Sequence, residues 1–218
     1  MKKKQKDIFL EQEGDNFFDR NNVTIEKREM GINDPIVNAL SNLIDKYEKN
    51  SMSLLEIGCG EGKRLRWISE NYNIRCYGID PSKKAVEKAN TKNISVSQGT
   101  ADDLKFENEK FDFVIFGFCL YLCDRSDLFQ IAKEADRVLK KSGYVIIRDF
   151  FSSNQEKKIY KYNENLFSYK MDYRKLFQWH PNYECIYHKV GPVLDTVSID
   201  DKNEWRATSV IRKNFIDE

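Results

Sequence analysis

The stretch "LLEIGCGEGKRL" at residues 54–65 ends an apolar run in three alternating glycines, Gly58, Gly60 and Gly62, with Glu56 two places before the first. Such a turn lets the backbone pass close beneath a ligand that side chains would displace. Two common ligands are ill served by this spacing. A phosphate loop needs Gly-x4-Gly-Lys followed by Ser or Thr, whereas Gly62-Lys63 is followed by Arg64 and Ile57 occupies the first glycine position. A dinucleotide turn needs glycine at the sixth position of Gly-x-Gly-x-x-Gly, which counted from Gly58 is Lys63. That second reading is weakened and stays open.

Downstream, "CYGIDPS" ends another apolar run in Asp80, twenty residues after Gly60. A carboxylate there can accept hydrogen bonds from both ribose hydroxyls of an adenosine, a placement shared with dinucleotide enzymes. The ordered set of glycine turn, Asp80, "QGTADDLKF" at 98–106, "FDFVIFGFCLYLCD" at 111–124 and "DLFQIAKEADRVLKKSGYVIIRDF" at 127–150 resembles the class I S-adenosylmethionine-dependent methyltransferases over about residues 50–150. The resemblance implies S-adenosylmethionine as cofactor and a role for each matched position. Glu56 lies near the ligand's amino group, Gly58, Gly60 and Gly62 pass beneath its methionine moiety, and Asp80 holds the ribose. The backbone N–H near Ala101 and the Asp102 side chain read the adenine edge. By its position at the end of a central strand, Phe118 is a further candidate cofactor contact. Lys105 replaces the proline usual in the family's third loop.

Methyl transfer from a sulfonium is an in-line displacement, so alignment supplies much of the rate, and a carbon or oxygen acceptor must also lose a proton. Of the two histidines, His180 in "FQWHPNY" is the candidate base, because it lies in the region expected to cover the site; His188 alternates with apolar residues along a predicted strand. Tyr121, Tyr173 and Arg174 are candidate acceptor contacts. The aromatic stretch 160–183 is the expected acceptor surface, its rigid rings suiting apolar or sugar-ring contact and Lys170, Arg174 and His180 suiting polar groups. No Asn-Pro-Pro-Tyr or Asp-Pro-Pro-Tyr follows the fourth strand, where many amino-group methyltransferases carry it. No carboxylate cluster at metal spacing is visible, so no metal is expected, although Asp149 at a strand end leaves one open. The expectation is O-methylation of a small polar acceptor such as a sugar, and "FGFCLYLCDRSDL" and "YKMDY" resemble a bacterial subgroup of glycan or natural-product biosynthesis. An oxidoreductase on the same sheet and a non-catalytic adenosine-ligand-binding partner subunit are the alternatives.

The elements that must position these residues follow from hydrophobic periodicity. Strands are predicted at 54–58, 75–79, 94–98, 111–116 and 144–149, helices at 63–72, 83–91 and 127–140, then strands at 185–190 and 205–212. Asp34-Pro35 predicts a helix cap, with a helix running to about Lys49 on the stripe Ile36, Val37, Leu40, Leu43, Ile44 and Tyr47. Ser126 and Gly143 are the predicted caps of the long helix. This alternation gives an α/β fold, a Rossmann-like, doubly wound and mostly parallel seven-stranded sheet with helices on both faces. Residues 1–33, with the aromatic pair Phe17-Phe18, are expected to form a cap or lid. Residues 34–218 form the catalytic domain, with 151–183 inserted as acceptor site. A net charge of +1 gives no bulk case for nucleic acid, and the longest uncharged apolar run, Phe113 to Cys123, is too short for a bilayer. A cytoplasmic location, a small-molecule partner and five reduced packing cysteines are expected. Oligomeric state cannot be read.

Overall fold

The computed structural model describes residues 3–26, 30–44, 51–89, 93–192, 201–202 and 205–214. Five parallel strands make its centre: β1 (Met52–Ile57), β2 (Ile74–Asp80), β3 (Ile94–Gln98), β4 (Phe111–Gly117) and β5 (Leu139–Phe150). Beyond them come a hairpin, β6 (Glu156–Tyr160) and β7 (Asn163–Lys170), and two long strands, β8 (Tyr183–Pro192) and β9 (Trp205–Lys213). The main sheet has the order β3-β2-β1-β4-β5-β9-β8, with β9 antiparallel to both β5 and β8. Every residue of β1 is buried, as a strand covered on both faces requires. The doubly wound, largely parallel seven-stranded sheet expected from sequence is therefore present.

The N-terminal segment is helical: α1 (Gln5–Ile8), a π-helical turn at Phe9–Glu13, and α2 (Gly14–Glu26). One sheet face is covered by α3 (Pro35–Ile44), α4 (Lys63–Asn71) and α5 (Lys83–Ala89), which bury Leu40, Leu65, Ile68 and Ala89 against Leu54, Ile115 and Ile146. The other carries α6 (Leu128–Val138), with Ile131, Ala135 and Val138 against Val114, Phe116 and Ile147. Asp34 caps α3 as its sequence predicts: its Oδ1 accepts from the N–H groups of Ile36 and Val37 at 3.0 and 3.2 Å, a contribution of about 1 kcal/mol. The predicted continuation to Tyr47 and Lys49, and that of α5 to Thr91, lie outside the described residues.

Two caps differ from expectation. Ser126 lies inside a short 3₁₀ turn (Arg125–Asp127), the residue at the head of α6 is Asp127, and no side chain caps that helix. Gly143 lies within β5, where an added Cβ would come within 2.7 Å of Leu139 Cδ1 and 3.0 Å of Asp112 O. It is kept small by packing, because the helix has already ended at Val138.

Candidate functional site

The loops after β1, β2, β3 and β4 meet at the carboxyl edge of the sheet, beside β1, where the strand order reverses. Gly58, Gly60 and Gly62 all take positive φ, 75°, 55° and 70°, a region closed to most side chains. The turn is fastened to β2, since Gly58 N and Cys59 N both donate to Ile79 O. Asp80 then accepts from Gly60 N on Oδ2 at 2.8 Å and from Ser82 N on Oδ1 at 2.9 Å. It thus locks the glycine turn and holds Ser82, whose Oγ accepts from Ala85 N at 3.1 Å at the head of α5. Each oxygen keeps a second lone pair for a ligand. Burial raises the Asp80 pKa to about 6.

Below the turn Glu56 is almost fully buried at the end of β1. Arg64 of α4 bonds Glu56 Oε1 through Nη1 and reaches both oxygens of Asp34 at 3.2 Å, joining β1, α3 and α4 in one charged network. Burial, opposed by Arg64, pushes the Glu56 pKa up to about 7. Its Oε2 is buried and accepts no hydrogen bond from a described residue. An acceptor left so costs about 1–3 kcal/mol unless a donor arrives.

A cavity under these loops is lined by Gly58, Asp80, Ala101, Asp102 and Phe118, five of the residues singled out from sequence. Phe118 has a φ of 57°, strained for a side chain of that size, and its N–H donates to Arg148 O at 2.8 Å. Gly60 and Gly62 shape the turn from outside the cavity; a Cβ on Gly62 would meet Ile94 Cδ1 at 2.7 Å. Sequence reasoning missed much of the opposite wall: Lys6, Phe9 and Gly14 of the N-terminal helix, with Phe17, and Cys119 and Cys123 of the β4 loop. Lys6 Nζ is ion-paired to Asp102 Oδ2, and this bond helps to hold the Asp102 carboxyl below its ordinary range against the effect of burial. Only Phe17 announced itself, as part of an aromatic pair in a polar segment.

Other expected residues lie elsewhere. His180 is not brought to the cavity. Its Nδ1 accepts from Asn182 N at 3.2 Å and its ring packs on Trp179 and Tyr183, beside Phe129, Ala132 and Asp136 of α6. It caps a local turn and does not line the cavity. Arg174 is occupied by a forked pair with Asp172, 2.9 and 2.6 Å, and lines no part of the cavity. Tyr173 is core: it is buried among Phe116-side residues, its hydroxyl donating to Tyr169 O at 3.1 Å. The stretch 160–183 therefore divides. The hairpin half packs on the N-terminal helix through Tyr160 and Leu166 against Phe9, and the later half packs under α6 through Tyr173, Phe177 and Tyr183. Tyr121 does not line the cavity either, although Cys119 and Leu122 beside it in sequence do; its ring lies 4.8 Å from that of Phe150. Among the described residues no group of three His, Cys, Asp or Glu side chains could hold a metal ion. Asp149 spends its carboxylate on the N–H groups of Leu120, Tyr121 and Phe150.

Residues 55–147 match a family described as a methyltransferase domain. A protein of Methanocaldococcus jannaschii is 33% identical over 117 residues, 49% of this chain and 54% of its own length. An uncharacterized methyltransferase of Bacillus subtilis is 32% identical over 107 residues, 45% of this chain and 41% of its own. The chain spans about half the length of these two relatives. A solved S-adenosylmethionine-dependent methyltransferase of Methanosarcina mazei superposes with a TM-score of 0.62 at 18% identity, covering 80% of this chain and 98% of that one, which is a likeness of fold.

Proposed function

We propose, on the premise that residues 55–147 are a class I methyltransferase domain, that the chain moves the methyl group of S-adenosylmethionine to a small polar acceptor. The observation that carries this is that Gly58, Asp80, Ala101, Asp102 and Phe118 line one cavity, near in sequence to the unsatisfied carboxylate oxygen of Glu56. The residues fit the cofactor: Asp80 offers two acceptors to a ribose, Glu56 Oε2 lacks the donor that an amino group supplies, and Ala101 and Asp102 offer the adenine a small side chain and an acceptor. When bound, the cofactor supplies an electrophilic methyl on a sulfonium. The chain's part is to align and to exclude water. The glycine turn fixes one end of the ligand, Phe118 and Cys119 wall the other, and the N-terminal helix closes the top through Lys6 and Phe9. An oxygen acceptor, as in a sugar, remains the preferred reading, since aromatic faces line its approach.

Calorimetry with S-adenosylhomocysteine and with NAD tests this reading directly. The expected result is binding of the first alone, and a loss of about tenfold or more in affinity for Asp80→Ala in a folded protein. Binding of NAD alone would return the chain to the oxidoreductase alternative. Incorporation of radioactive methyl into an added acceptor would separate an enzyme from a binding subunit.

A further inference from the structure

Among the described residues, the carboxylates that line the cofactor cavity are those of Asp80, Asp102, Asp124 and Asp127. The first three have donors. Asp80 accepts from Gly60 N and Ser82 N, Asp124 Oδ2 accepts from Gln5 N at 2.7 Å, and Asp102 is ion-paired to Lys6. Asp127, at the head of α6, is only half served. Its Oδ1 accepts from Lys4 Nζ at 2.6 Å and from Ser126 Oγ at 3.4 Å, whereas its Oδ2 is buried and accepts no hydrogen bond from a described residue. The residue is only 7% exposed, so bulk solvent does not supply the missing donor.

Its neighbours place Asp127 at the Ala101–Asp102 end of the cavity. Gln130, three residues on along α6, donates from Nε2 to Asp102 O at 3.3 Å, and Ile131, one helical turn from Asp127 on the same face, lines the cavity too. The Lys6 ammonium that pairs with Asp102 also feels the Asp127 charge. Two carboxylates therefore stand at the end that the methyl-transfer reading gives to the adenine. An exocyclic amino group carries two hydrogens that point apart, and a single carboxylate oxygen meets one of them. The other hydrogen would be left unmet in a closed cavity, as Oδ2 of Asp127 is left unmet without a ligand. Each supplies what the other lacks.

We propose that Asp127 is a specificity-determining residue for the purine, its Oδ2 accepting one hydrogen of the adenine amino group while Asp102 accepts the other. This deepens the methyl-transfer reading and rests on it. Paired acceptors at that point admit a 6-amino purine and repel a 6-oxo purine, whose carbonyl brings a third acceptor and no hydrogen. A purine methylated on the amino group keeps one hydrogen and forfeits one of the two bonds.

The test is calorimetry on the full chain with S-adenosylhomocysteine, its 6-oxo counterpart S-inosylhomocysteine, and its derivative methylated on the adenine amino group. The unaltered protein is expected to bind the first roughly a hundredfold or more tighter than the second and about tenfold tighter than the third. In Asp127→Asn the side chain can donate, so S-adenosylhomocysteine should weaken about tenfold while S-inosylhomocysteine strengthens, and their ratio should collapse. A merely structural role would weaken both together, and that result overturns the proposal. Lys4→Met removes the partner of Oδ1 and leaves Oδ2 in place, so it should keep the ratio; a ratio that collapses there as well would trace the effect to roof closure and overturn the assignment. Equal binding of all three ligands by the unaltered protein overturns it without any variant having to fold. Failure of the unaltered chain to bind S-adenosylhomocysteine defeats the methyl-transfer reading and this assignment with it. S-Adenosylhomocysteine bound with a ratio indifferent to Asp127→Asn defeats the assignment alone.

Discussion

Asp80 carries a raised pKa because it is buried, and the same burial makes its charge state matter to a ligand. In the proposed complex the ribose hydroxyls would donate to this carboxylate, and protonation would remove an acceptor. S-Adenosylhomocysteine affinity should therefore fall as pH drops through about 6, and Asp80→Asn should bind weakly with that dependence flattened; titration calorimetry at a series of pH values checks both. Asp149 gives the matching prediction for stability. Burial lifts its pKa to about 7, above the ordinary carboxylate value, so the folded state binds a proton that the unfolded state has lost. Its contribution is then largest at low pH and declines as pH rises from about 4 to about 7. Subtracting the urea stability curve of Asp149→Asn from that of the unaltered protein should expose this decline. The variant should also lose about 1–3 kcal/mol throughout, since the amide cannot accept from all three N–H groups.

The N-terminal helix is held by polar clasps as well as by Phe9 packed on Tyr160 and Leu166. Gln5 is buried and meets both backbone groups of Phe167 in β7, accepting from its N–H at 2.5 Å and donating to its carbonyl at 3.2 Å, while its amide also reaches Leu122 O at 2.7 Å. Further along, Asp15 Oδ1 accepts from Ser82 Oγ and from Lys84 N, at 2.7 and 3.0 Å, capping α5 from a distance. Gly14 sits where a Cβ would lie 2.7 Å from Phe9 O and 2.9 Å from Ser82 N. Both neighbours are backbone, so Gly14→Val should lift the helix at a cost of about 1–3 kcal/mol. Stopped-flow release of S-adenosylhomocysteine should quicken severalfold, and an unchanged rate would mean that the helix does not govern exchange. These clasps explain why a helix was not legible in residues 5–26. Gln5, Lys6 and Asp15 are polar residues whose partners lie remote in sequence, so nothing local marks them as held. The β6–β7 hairpin hid for a related reason: its turn, Lys161-Tyr162, lacks the Asn-Gly type of signal, and its inward residues Tyr160, Leu166 and Tyr169 merged into one aromatic stretch.

At the scale of the molecule, the parallel sheet was legible because buried strands are continuous apolar runs and the intervening helices keep a 3.6-residue stripe. The floor of the site was legible with it, since glycines and a strand-end acid are tied to backbone geometry. The roof was not, being made of tertiary contacts. Sheet and roof should separate in experiment: deletion of residues 1–22 is expected to leave the two-sided core folded, with cooperative thermal unfolding, while cofactor affinity and turnover fall together. Intact binding and turnover after that deletion would show the roof to be dispensable. The π-helical turn at Phe9–Glu13 adds one more constraint. It holds an extra residue within a helix, and one residue corresponds to about 100° of rotation. Gln5 can then face the hairpin while Gly14 and Asp15 face the head of α5. Removal of Leu10 would close the bulge and turn one half against the other, so only one clasp could engage. The roof is in effect keyed by residue count: substitutions in this segment should be tolerated far more readily than a single insertion or deletion, even where no side chain at the altered position touches anything.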